Sequence, residues 1–224
     1  GLCLDVNNFN LAVLKAIILD FDGVILESND IRTRAFSQVF SGYPERLDEI
    51  VQYHLDNVSL SRYEKFQFVY ENILKKPLSS AEKEDLGQRF ADFSLEDVLR
   101  CPEVEGTSEL LEAYAKRFLL FVASGTPEQE LREIVGSRGL SQHFAGVFGS
   151  PRWKREILAD ILRTWCLDPS EALFVGDSLI DWREASKVGI PFVGRARAGI
   201  ETFQGLGVPV VADLREFKRL LETG

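Results

Sequence analysis

The sequence predicts an α/β protein built on a doubly wound, mostly parallel, Rossmann-like sheet, interrupted by an all-helical insert. Three observations carry this. An apolar run, Ala16-Ile17-Ile18-Leu19, ends directly in Asp20-Phe21-Asp22-Gly23, as a buried strand ending in a site does. Residues 28 to 100 show helical periodicity and no convincing strand. From about Pro102 the rhythm changes to strands alternating with helices, which requires a parallel sheet covered on both faces.

The elements follow in order. Within the insert, Tyr63, Phe66, Val69, Tyr70, Ile73 and Leu74 recur at helical spacing, and Pro77 with Ser79-Ser80 ends one helix and starts another. The later pattern predicts a helix over 107–117, a strand over 118–123, a helix over 127–136 and a short strand over 145–149. Next come a helix over 152–165, a strand over 172–175, a helix over 178–188, strands over 190–193 and 208–211, and a last helix to Leu221. The expected domains are an α/β core of residues 1–26 and 101–224 and a helical cap of residues 27–100, with hinges near 26–28 and 100–102.

A chain of 224 residues, 45% of them hydrophobic, can bury a large core. Its net charge of -9 disfavours nucleic acid and anionic membranes as main partners. Cys3, Cys101 and Cys166 are odd in number and widely spaced, and no C-x-x-C or nearby histidine pair indicates a disulfide framework or zinc site, so a reducing cytoplasm is expected. No apolar run approaches the roughly 18 residues that span a bilayer, and residues 1–15 lack the pattern of an export signal. A start at Gly1 in a chain without methionine predicts a processed or engineered beginning.

Ligands of open α/β sheets bind outside the carboxyl ends of the strands, so polar residues after each apolar run are the candidates. Asp20 and Asp22 alternate on the first strand's end and repel each other unless a cation or shared proton intervenes. In Ser124-Gly125-Thr126-Pro127, Thr126 reads as a helix N-cap with Gln129 as its return partner, while Ser124 and Gly125 offer a hydroxyl and backbone N–H groups to an anion. Lys154 leads the apolar stripe Ile157, Leu158, Ile161, Leu162 and Trp165; it is either a snorkelling surface lysine or, the reading taken, an inward cation beside carboxylates. Asp177 and Asp181 could simply cap and favour the next helix. Taken with Asp20 and Asp22, they make four carboxylates beside one lysine, an excess that calls for a divalent ion. Oxygen-only ligands select a hard one, most plausibly Mg²⁺.

Asp20-Phe21-Asp22-Gly23-Val24, Ser124-Gly125-Thr126, the segment 149–154 ending in Lys154, and Gly176-Asp177 to Asp181 resemble, in order and spacing, the motifs of the haloacid dehalogenase-like hydrolase superfamily. The insert resembles the helical cap of its phosphoglycolate phosphatase and β-phosphoglucomutase group. The resemblance implies Asp20 as nucleophile, Asp22 as general acid and base, Ser124 as phosphate ligand and Lys154 as the charge steadying both. It implies Mg²⁺ held by Asp20, Asp177 and the backbone carbonyl of Asp22, with Asp181 completing and orienting the metal set. The paired aspartates point to phosphate rather than halide chemistry. Within the cap, Arg62 and Lys65 either read the substrate's leaving group or are solvated helix residues, and His54 is undecided. The expected activity is Mg²⁺-dependent hydrolysis of a small-molecule phosphate ester. A sugar-phosphate mutase and a non-catalytic phospho-ligand binding module are the alternatives, and oligomeric state is not legible.

Overall fold

The computed structural model describes residues 9–223; Cys3 and the start at Gly1 lie outside them. In chain order the described residues form β1 (Ala16–Leu19), α1 (Asn29–Val39), α2 (Leu47–Asp56), α3 (Arg62–Phe68), α4 (Ser80–Arg100), α5 (Thr107–Tyr114), β2 (Leu119–Pro127) and α6 (Glu128–Ser137). Then follow β3 (Gly146–Ser150), α7 (Lys154–Thr164), β4 (Ala172–Gly176), α8 (Leu179–Val188), β5 (Phe192–Arg195), β6 (Val210–Val211) and α9 (Leu214–Thr223). The chain divides into two compact units, one running to Glu27 and resuming at Glu103, the other spanning Ser28–Pro102. These divisions fall one and two residues beyond the expected boundaries.

The first unit holds a six-stranded sheet in the order β3-β2-β1-β4-β5-β6, every pairing parallel. The strand order reverses at β1, which pairs with β2 on one side and β4 on the other, and in open α/β sheets ligands bind at such a point, outside the strands' carboxyl ends. β1 is short and unalternating because both its faces are covered: all four residues are fully buried, and each large aliphatic side chain so removed from water stabilises by about 1.5–3 kcal/mol. The stripe of α7 packs Ile157, Leu158, Ile161 and Leu162 into the same core as Ile18, Phe121 and Phe174. Trp165, expected on that stripe, is 40% exposed and meets Phe121 edge-on.

The helical unit is built on aromatic packing. Phe36 of α1 meets Phe40, Phe66 of α3 and Phe90 of α4 at ring distances of 5.1–6.3 Å. α4 starts as its sequence predicts, with Ser79 and Glu82 satisfying each other's backbone N–H groups. The helix expected through residues 63–74 is not continuous. α3 gives way to a π-turn over Val69–Ile73, in which Leu74 N–H reaches Val69 O at 2.8 Å. The extra residue per turn lets Val69, Tyr70 and Ile73 all face the core.

The sheet edges depart most from expectation. β5 begins two residues late, at Phe192, because Pro191 supplies a carbonyl to Phe174 but has no N–H to give a ladder. β6 shrinks to Val210–Val211 at the exposed edge. Among the described residues no helix is long and apolar enough to cross a membrane; Cys101 is buried and Cys166 exposed.

Candidate active site

β1 delivers Asp20 to the point where the strand order reverses. Its N–H continues the ladder by bonding Val175 O of β4 at 2.9 Å, so the carboxylate stands at the junction of the two central strands, 4% exposed. Phe21 N–H donates to Asp20 Oδ1 at 2.7 Å. Lys154, the first residue of α7, is buried with its stripe, and its Nζ lies 3.1 Å from Asp20 Oδ2 and 2.6 Å from Asp181 Oδ1. The snorkelling alternative therefore fails.

The end of β4 supplies the other carboxylates. Ser178, not Asp177, caps α8, accepting the Asp181 N–H at 3.1 Å, and this frees Asp177 from the capping role that its position had suggested. Asp181 is fully buried, and both its oxygens are engaged, Oδ1 by Lys154 and Oδ2 by the Asp177 N–H at 3.1 Å. It therefore binds lysine and loop together. Gly176 permits this approach: a Cβ there would lie 2.6 Å from Asp181 Oδ2.

Ligand oxygens of Asp20, Asp177 and Asp181 all lie within 4.8 Å of one another; the Asp22 carboxylate is not part of that group. Burial, then the charges of Asp181 and Asp177, hold the Asp20 carboxyl well above the usual carboxylate range, with Lys154 opposing. Burial penalises the Lys154 ammonium, yet Asp181, Asp20 and Asp177 outweigh it and keep it above the ordinary lysine value. Three carboxylates around one ammonium leave an anionic surplus made only of hard oxygen donors, so the residues present fit Mg²⁺.

A consequence for pH follows. The native state keeps the Asp20 proton to higher pH than the unfolded chain, so this group adds stability that is fully present below its ordinary value and is lost as pH rises through its raised one. A divalent ion binds the deprotonated form. The Mg²⁺-induced rise in melting temperature is thus expected to be small in acid, where Asp20 keeps its proton, and to grow as pH rises, read by thermal melts against chelator controls. A rise that does not change with pH would contradict it.

The second motif differs from its expected local structure. Ser124-Gly125-Thr126 does not start a helix: β2 runs on to Pro127, its pairing with β3 slipping between Ala123 and Pro127. Thr126 caps nothing; its Oγ1 donates to Asp22 Oδ2 at 3.3 Å, and Gln129 pairs with Glu133. The bulge turns this hydroxyl toward the first motif, a contact that no local pattern in the sequence signals. Ser124 is buried, its Oγ accepting the Thr126 N–H at 3.1 Å, and Gly125 lies within the same bulge.

In the helical unit, Arg62 and Lys65 are 5% and 3% exposed, so neither is a solvated helix residue. The Arg62 guanidinium lies 4.5 Å from the Phe90 ring centre. Lys65 Nζ is 3.0 Å from His54 Nδ1, and His54 Nε2 is 3.1 Å from Thr33 Oγ1. Thr33 donates its hydroxyl proton to Asn29 O, so it must accept from Nε2–H, which leaves the Nδ1 lone pair for the ammonium. That pattern assigns His54 as a neutral imidazole, stacked on Phe36, that holds Lys65.

A family model for haloacid dehalogenase-like hydrolases matches residues 17–195. A 5′-nucleotidase from Pseudomonas aeruginosa is 31% identical over 96 residues, a stretch covering 40% of this chain and 43% of that protein. A predicted phosphoglycolate phosphatase from Haemophilus somnus 129PT superposes with a TM-score of 0.72 at 18% identity, covering 92% of this chain and 97% of that one. CbbY from Rhodobacter sphaeroides, in complex with phosphate, gives 0.71 at 18% identity, covering 91% and 96%. At such identities the structural likenesses speak for the fold alone. The match of the family model over most of the chain, from β1 through β5, shows that this protein belongs to the haloacid dehalogenase-like hydrolases.

Proposed function

We propose that the protein is a Mg²⁺-dependent phosphomonoester hydrolase acting on a small phosphorylated metabolite. The observation that carries this reading is the convergence of Asp20, Asp177, Asp181 and buried Lys154 at the carboxyl ends of β1, β4 and the start of α7. The partial likeness to a 5′-nucleotidase supports an ester phosphate as substrate. The exposed thiol of Cys166 supports a reducing, cytoplasmic setting.

In this reading Asp20 attacks phosphorus, forming an Oδ–P bond as the ester P–O bond breaks, and Asp22 gives its proton to the departing alkoxide. Asp22 then takes a proton from water, whose oxygen attacks phosphorus and releases Asp20 and inorganic phosphate. Lys154 favours the ionised form of Asp20 against its burial and holds it aligned, and Ser124 with the Gly125 backbone receives the phosphoryl oxygens. Thr126 orients Asp22 through its hydroxyl. Mg²⁺, held by Asp20 and Asp177 with the Asp22 carbonyl and steadied by Asp181, would neutralise charge on the phosphoryl group. Local positive charge is needed because the whole chain carries -9.

The test is phosphate release from a panel of phosphomonoesters, with Mg²⁺ or with chelator. Release that requires the metal is expected, with small sugar phosphates and phosphorylated acids ranking above long or polymeric esters. Absence of release from every ester would overturn the reading and favour a mutase or a binding module.

A further inference from the structure

Arg195, the last residue of β5, is 8% exposed and lies outside the four motifs. Its guanidinium is held in three directions. Nε donates to Ala212 O at 2.8 Å, while Nη1 donates to Gly23 O at 3.1 Å and to Glu27 Oε1 at 2.6 Å. The other oxygen of Glu27 takes Arg197, 2.9 Å from its Nη2.

Gly23 directly follows Asp22 and adopts φ +80°, a left-handed conformation suited to glycine. Its N–H is fixed to Leu26 O at 2.8 Å, and Asp22 and Leu26 form an isolated bridge. With its carbonyl taken by Arg195, both peptide groups of Gly23 are fixed. Glu27 is the last residue before the helical unit begins.

We propose that Arg195 is a positioning residue for the reaction: by drawing the Gly23 carbonyl and the Glu27 carboxylate onto one guanidinium, it sets the turn that aims Asp22 and ties that turn to the start of the linker. The planar fork suits this task, since three acceptors in fixed directions need donors in fixed directions, which a lysine ammonium on a flexible stem lacks. Burial of the Arg195 side chain, with Glu27 partly exposed at 23%, makes this pair stronger than a surface ion pair and its disruption more costly. The role rests on the phosphatase reading, because Asp22 must protonate a leaving oxygen and then activate water from one place, and a displacement of about 1 Å in such a group can cost on the order of 100-fold.

Three variants and two readouts test it. Arg195→Met is expected to lower kcat by about 10- to 100-fold with KM within about twofold. Arg195→Lys is expected to recover less than half of the lost rate. Glu27→Gln, which keeps an acceptor for Nη1, is expected to fold even where Arg195→Met does not and to lose about threefold to tenfold in kcat alone. Hydrogen exchange of the 21–27 segment is expected to quicken in Arg195→Met and Glu27→Gln while β1 stays protected. Unchanged exchange in that segment, or a kcat within twofold of wild type in both variants, overturns the clamp. Failure of the wild-type protein to release phosphate sinks the phosphatase reading instead, and the exchange measurement then decides on the clamp by itself.

Discussion

Asp20→Asn is expected to reduce phosphate release by on the order of 10⁴-fold or more, because the amide has no charge with which to attack phosphorus. The same change is expected to leave the metal-free protein at least as stable as the wild type. Burial and two neighbouring carboxylates already disfavour the Asp20 charge, so a neutral isostere relieves repulsion in a site built for chemistry rather than stability. Melting curves in chelator, set against melts in Mg²⁺, check both parts. The variant should melt at or above the wild-type temperature without metal and should lose most of the metal-induced rise. A variant that keeps wild-type turnover would overturn Asp20 as nucleophile and revive the binding-module alternative.

Lys154→Met is expected to act oppositely on stability. Lys154 is the buried cation between Asp20 and Asp181, and deleting one partner of such a pair leaves its carboxylates uncompensated at a cost of about 3–5 kcal/mol. Turnover should fall by about 10²- to 10⁴-fold, the range for losing a preorganised charge beside the transferring group. Urea titration and steady-state rates measure the two effects. Adding Asp20→Asn to Lys154→Met should restore part of the stability, since the double variant removes a charge from each side, and this non-additivity separates the ion pair from a general loss of packing around α7. Additive losses would show that Lys154 stabilises through its stem alone.

These expectations depend on residues whose importance was legible to different degrees before the fold was known. Asp20 and Asp177 follow apolar runs, and a strand that ends in a carboxylate announces its place in a parallel sheet. Lys154 was legible as an anomaly, a cation leading an apolar stripe, because helical periodicity is local and a misfit in it shows in the one-dimensional pattern. The aromatic stripe of the insert was equally visible, although the π-turn at Val69–Ile73 was not: widening a helix by one residue is decided by how the rings of Phe36, Phe66 and Phe90 pack, not by the residues that widen.

Other assignments went astray where local chemistry and tertiary pairing compete for the same atoms. Thr126-Pro127 has every local mark of a helix start, yet β3 captures Pro127 into its ladder beside Ser150, and the threonine hydroxyl goes to Asp22, 104 residues away in sequence. Asp177 looked like a cap until Ser178 took that position. Arg195 obeys the same rule that singled out Asp20, standing at the carboxyl end of an apolar strand, but its partners, Gly23 and Glu27, lie 172 and 168 residues away.

The sequence by itself determined the α/β class, the helical insert between β1 and the remaining core, and the side chains that converge at the strand ends, because burial periodicity and strand-end placement are properties of short segments. Only the tertiary structure decided which oxygens those side chains share: Lys154 between Asp20 and Asp181, Asp181 across to the Asp177 N–H, Thr126 on Asp22, and Lys65 on a neutral His54. The reason is that a hydrogen bond or ion pair selects its partner within about 3 Å, and distances on that scale between residues far apart in the chain are fixed by sheet register and helix packing rather than by any pattern along it.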